Sequence, residues 1–232
     1  MCNQFKIIFF KFRHFLVFYI AVLCMAGIGF WAGFVKVAGM GGSAYFAFKD
    51  SVCDTSLTFI LAVIAAWFLG NDFSNRTIHH EITLGYSRWS VLLVRELPVM
   101  LSSVVLHFIY VVFIVFGTAC KMGFSISVFK AGDIFWCVTV MIQLIALQSI
   151  ITLITFICGK APAAIATSVC FTIISCNALR NFFYGTFFEK TVFCFARDNS
   201  SETLIQTSIV GVITLVATIA LTYLVFRKRE IK

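Results

Sequence analysis

The residues best suited to chemistry are the adjacent His79 and His80 beside Glu81, the Gly159-Lys160 step, and nine cysteines. A zinc peptidase holds its metal with two imidazoles one helical turn apart, and Leu84 stands where the second of these would be. A phosphate-binding loop needs a glycine ahead of its Gly-Lys and a hydroxyl after it. Ile154 and Ala161 occupy those places. Gly85-Tyr86-Ser87-Arg88 lacks the last glycine of a nucleophile elbow. The cysteines contain no Cys-x-x-Cys pair and are spread along the chain. Cys24, Cys137, Cys158 and Cys170 read as small buried apolar residues, and an outer bridge such as Cys176 to Cys194 stays open. The expectation is a chain with no catalytic residue, no metal site and no cofactor of its own. If ATP is used, a partner binds it.

One stretch does look built for docking. Residues 71–96 form the only long polar interval between two strongly apolar runs. Asp72 or Ser74 can cap a first turn. Phe73, Thr77, Ile78 and Ile82 then follow at helical spacing, and Gly85 suits the left-handed residue that ends a helix. Ser87 can cap a second helix that runs through Trp89, Leu92 and Leu93 into the next apolar segment. The pattern is a short amphipathic helix, a glycine turn and a return into the membrane.

The wording of this stretch resembles the first cytoplasmic loop of permease subunits of the type-2 ABC-transporter superfamily. The matching positions are Asp72, Phe73, Asn75, Thr77, Ile78, Gly85, Ser87 and Arg88. The resemblance implies a coupling helix resting in a groove of a separate ABC ATPase subunit. Phe73 and Ile78 would be its buried anchors, with Arg76, Glu81 and Arg88 at the rim. It also implies a working unit of two permeases, whether copies or homologues, with two ATPases.

Composition sets the class of the elements that carry this loop. The chain of 232 residues is 61% hydrophobic and 12% charged, with 28 phenylalanines and two prolines. Its mean hydropathy is +1.00. A soluble domain could not hide that much apolar surface. Residues 1–14 read as an interfacial amphipathic helix, with Phe5, Ile8, Phe9, Phe12 and Leu16 on one face and Lys6, Lys11 and Arg13 off it. A cleaved signal peptide is disfavoured, since no Ala-x-Ala-like site precedes a polar start. Residues 15–232 then read as one permease domain.

Six apolar segments follow at 15–35, 52–69, 98–119, 134–158, 161–178 and 204–226, each near the ~20 residues that cross a bilayer. Pro98 and Pro162 fall in the expected first turns of their spans. Only Gly159-Lys160 separates the fourth and fifth, so these two must form a tight hairpin. Lys36, Lys49, Lys121, Lys130, Arg180, Lys190 and Arg197 fall on one side of this layout, and the other eleven of 18 basic residues fall on the side of both termini. That excess puts the N and C termini in the cytoplasm of a cell-membrane protein. It accounts for the basic balance without nucleic acid.

Residues 179–203 hold Phe182, Phe183, Tyr184, Phe187, Phe188, Phe193 and Phe195 among charges, which suits short helices dipping back into the membrane. Asn199-Ser-Ser-Glu202 then reads as a capping box for the last span. Within the spans the polar residues are His107, Gln143, Gln148, Thr152, Thr155 and Asn177. Gln143, Gln148 and Asn177 are candidates for a substrate path, against the plainer role of bonding helices together.

The expected fold is therefore all-α: an amphipathic N-terminal helix, six transmembrane helices and a re-entrant segment between the fifth and sixth. The expected function is the permease of an ATP-driven exporter of peptides (bacteriocin or lantibiotic type), drugs or lipids. The rival is a non-transporting membrane sensor that docks a cytoplasmic partner. An ion-coupled transporter is disfavoured by the lack of intramembrane carboxylates.

Overall fold

Inside hydrocarbon each backbone N–H must find its carbonyl within its own segment, and helices do this. In the computed structural model every regular element among the described residues is helical. The described residues are 2–37, 39, 43–123, 131–179, 190–196 and 200–228, with only the backbone described at 2–5, 36, 131 and 177–179.

In chain order the helices are α1 (Cys2–Arg13), α2 (Leu16–Trp31), α3 (Ala44–Val52), α4 (Thr58–Ser74), α5 (Thr77–Thr83), α6 (Arg88–Met122), α7 (Ala131–Cys158), α8 (Ala161–Ile173) and α9 (Ser201–Lys228). Wider π turns continue α2 over Ala32–Val37 and α8 over Ile174–Leu179. Four stretches are long and apolar enough to cross a membrane: Leu16–Val35, Arg88–Met122, Gly132–Cys158 and Ser201–Lys228. The other two expected spans are the shorter apolar helices Thr58–Ser74 and Ala161–Cys176. At 1.5 Å per residue these reach roughly 25 Å, short of the ~30 Å core.

Two expected boundaries change. Val52 ends α3, and α4 begins only at Thr58 after a turn that contains Asp54. Pro98 lies inside α6 rather than in its first turn, because the Ser87 cap starts that helix eleven residues earlier. Its ring removes the N–H that would bond the Val94 carbonyl. The expected cap at Asn199 lies outside the described residues. By contrast the α7–α8 hairpin is as tight as expected, with Gly159 at φ 64° and Pro162 in the first turn of α8.

α9 packs chiefly along α7, α2 along α6, and α4 along α8. Gly29 and Gly33 make the α2–α6 approach close, since a Cβ on Gly29 would lie 2.8 Å from the Tyr110 carbonyl oxygen. The glycine pair thus serves a contact within this chain. Polar side chains are gathered within the bundle and apolar ones cover its outside. Leu23 and Val216 are 73% and 63% exposed, while Thr139, Gln143, Thr152, Thr155 and Thr222 are buried. Water would not tolerate that surface, and lipid does. This is a membrane protein.

Candidate functional site

The polar stretch begins inside a helix. α4 continues through Asp72 to Ser74, so neither residue caps a new turn. Ser74 Oγ instead donates to the Gly70 carbonyl at 3.0 Å and accepts from the Ala161 N–H at 3.4 Å, bracing the α7–α8 hairpin. The chain reverses at Arg76, whose φ of 55° is the only left-handed value at a non-glycine among the described residues. α5 follows and Gly85 turns the chain at φ 88°. Ser87 Oγ then accepts from the Ser90 N–H at 3.2 Å to open α6. The short helix, the glycine turn and the serine cap match the expectation.

The side chains face other ways than expected. Phe73 and Ile78 are 9% and 1% exposed, packed with Val91, Leu92, Phe156 and Phe226. Phe73 meets Phe156 edge-on at 5.0 Å, and Phe156 meets Phe226 at 5.3 Å. They are anchors, but within this chain: Phe73 on α4 and Ile78 on α5 join one buried cluster with residues of α6, α7 and α9. Arg88 Nη1 donates to the carbonyls of Phe226 and Arg227 at 2.9 and 2.6 Å, holding the end of α9. Arg76 is exposed, as a rim residue would be. So are His80, Thr83, Leu84 (76%) and Tyr86, which form the outward face.

Glu81 is not a rim residue either. It belongs to a buried ion network centred on Arg95, which is 0% exposed. Arg95 Nε donates to Asp72 Oδ2 at 2.8 Å, and its two terminal nitrogens donate to both Glu81 oxygens at 2.8 and 2.9 Å. Lys11 Nζ completes the network by donating to Asp72 Oδ1. Two cations face two carboxylates, which is the condition for keeping ions out of water. Desolvation, reinforced by the Arg95 guanidinium, holds the Lys11 ammonium below the usual lysine range, while Glu81 acts in the other direction. The fork of Arg95 suits this task, because one planar group can bond two carboxylates at once.

None of this is visible in the local pattern. Lys11 reads as a cation off the apolar face of α1, yet it reaches 61 residues along the chain to α4. Ile8 and Phe12 are the buried residues among the described side chains of that helix, while Phe9 and Leu16 are exposed and the Phe5 side chain lies outside the described residues. The next residue, Glu96, is also buried, and neither of its oxygens has a partner among the described residues.

At the opposite end, Gln143 is occupied in holding the buried turn 190–196. Its Nε2 donates to the carbonyls of Thr191 and Cys194 at 3.0 and 2.8 Å, and its Oε1 accepts from the Ala196 N–H at 3.0 Å. Trp136 Nε1 donates to the Ala196 carbonyl at 2.6 Å. Irregular backbone survives in a bundle only when such groups satisfy it. Gln148 is buried on α7, and Thr152 and Thr155 bond back to carbonyls of their own helix. The Asn177 side chain and residues 180–189 lie outside the described residues. Among the described cysteines Cys176 and Cys194 are thiols, so the open bridge is not formed. Cys24 and Cys170 face outward rather than inward.

Physically, then, the site is a small helix with an outward face, held from behind by the ends of α4 and α6. No group of three metal-ligating side chains occurs among the described residues. No protein-family model matches the chain, and no curated protein matches its sequence.

Proposed function

We propose that the chain is the permease subunit of an ATP-driven transporter of the type-2 ABC superfamily, with α5 as its coupling helix. One observation carries the reading: α5 is tied to α6 through Glu81 and Arg95, while Leu84 and Tyr86 point away from the bundle. A closing ATPase that pressed on this face would move the ends of α4 and α6 together, since Asp72 and Glu81 share the same guanidinium. The ATP would sit on the partner, which carries the phosphate-binding loop that this sequence lacks. A second permease would complete the pathway. α4 and α8 with its π turn would supply two shorter spans beside the four long ones, giving six. The basic residues gathered around α1, α5 and the end of α9 favour a cytoplasmic position for both termini in the cell membrane. Peptides, drugs or lipids are the substrate classes in keeping with this family.

In this refined form the contact with the ATPase is made by Arg76, His80, Leu84 and Tyr86. Phe73, Ile78, Glu81 and Arg88 form the root behind it. The test is co-purification of an ATPase with the tagged chain. Leu84→Asp combined with Tyr86→Ala should abolish it while membrane insertion and yield stay unchanged. An ATPase retained by that variant would overturn the assigned face. A chain that copurifies a cytoplasmic partner without a nucleotide site would favour the sensor instead.

A further inference from the structure

Between α1, α2 and α6 lies a narrow cleft of about 210 Å³, walled by Phe9, Phe12, Phe18, Leu101 and Val105 with Pro98 among its lining. Arg13 stands among the lining residues and is exposed. The Tyr19 hydroxyl donates to the Arg13 carbonyl at 2.7 Å, closing the corner between α1 and α2. Phe12 and Phe18 meet at 4.9 Å, so the wall is packed rather than collapsible.

Charge decides what fills it. No acidic residue occurs before Asp50. Lys11 is committed to Asp72, but no ion pair among the described residues engages Arg13. The apolar walls open outward through exposed Phe9 and Leu101, where lipid chains lie, and the guanidinium marks the height of the head groups. The volume falls below the ~300–1,000 Å³ of a drug-sized site, which suits a stretch of one acyl chain rather than a compact ligand.

We propose that this cleft holds a stretch of one acyl chain of an anionic phospholipid, with its phosphate paired to Arg13. The proposal goes beyond the transport reading and does not depend on it, since it needs only α1 at the membrane surface. A lipid seated there would pin α1 against α6 close to the ion network that Lys11 joins.

The test is native mass spectrometry of the detergent-purified chain with phosphatidylglycerol or phosphatidylcholine of identical chains. One bound phosphatidylglycerol should be preferred roughly five-fold, the value of one basic residue at an anionic surface. Arg13→Gln should erase the preference, while Lys160→Gln, which removes an exposed cation at the α7–α8 turn, should keep it. Leu101→Trp should fill the cleft and lower retention of both lipids. Equal retention of the two lipids by the wild type would overturn the proposal. So would equal loss in Lys160→Gln, or displacement of the lipid by inorganic phosphate. If Leu101→Trp does not fold, Arg13→Gln alters an exposed side chain and still decides the matter.

Discussion

Arg95→Met deletes the centre of the ion network while keeping most of the side-chain volume. Three hydrogen bonds to two carboxylates disappear with it. Removing one partner of a buried pair costs ~3–5 kcal/mol, because the other charge stays desolvated. Asp72 is fully buried and would keep only Lys11, whereas Glu81 lies nearer the surface and can turn towards water. The lower end, ~3 kcal/mol, is therefore expected, or about 150-fold in the folding equilibrium. Thermal unfolding in detergent, followed by tryptophan fluorescence, should show a clear fall in midpoint. Pairing the change with Asp72→Leu removes the stranded carboxylate and should recover much of the loss, since apolar replacement of a whole buried pair is often near neutral. Lys11 and Glu81, both partly exposed, are left to water. If Arg95→Met melts with the wild type, or if the double variant loses the sum of both single losses, the network is not what secures α5.

Two further outcomes rest on the packing and one on the distribution of basic residues. Gly29→Leu should lower stability by ~1–3 kcal/mol by forcing α2 from the Tyr110 backbone, while Gly27→Leu, with nothing within 4 Å of its added Cβ, should melt near the wild type. Gln143→Leu removes three hydrogen bonds that hold the turn 190–196, each worth a net ~0.5–1.5 kcal/mol. Maleimide labelling of Cys194 should then speed up markedly. In a cysteine-free background, a cysteine at position 80 should label only from the cytoplasm and one at 190 only from outside; labelling of position 80 from outside would invert the proposed topology.

Several local signals in this chain were legible where one residue's own conformation is at stake, though Arg76's left-handed turn and the place of Pro98 inside α6 were not. Gly85 and Gly159 take positive φ, Ser87 caps α6, and Pro162 opens α8, each where its backbone chemistry places it. The apolar runs announced helices for a membrane, since no soluble core could absorb them.

Which face of a helix meets which neighbour is a different question. Phe73 and Ile78 have the spacing of an amphipathic face, and spacing cannot tell a partner's groove from the chain's own core. Only the arrival of Phe156 and Phe226, more than 75 residues away along the chain, turned that face inward. Gln143 read as a path residue because the turn it satisfies lies 48 to 53 residues further on. Lys11, Asp72, Glu81 and Arg95 are ordinary polar residues in their own helices. Tertiary packing alone brought them to one point, where burial made each charge need the next.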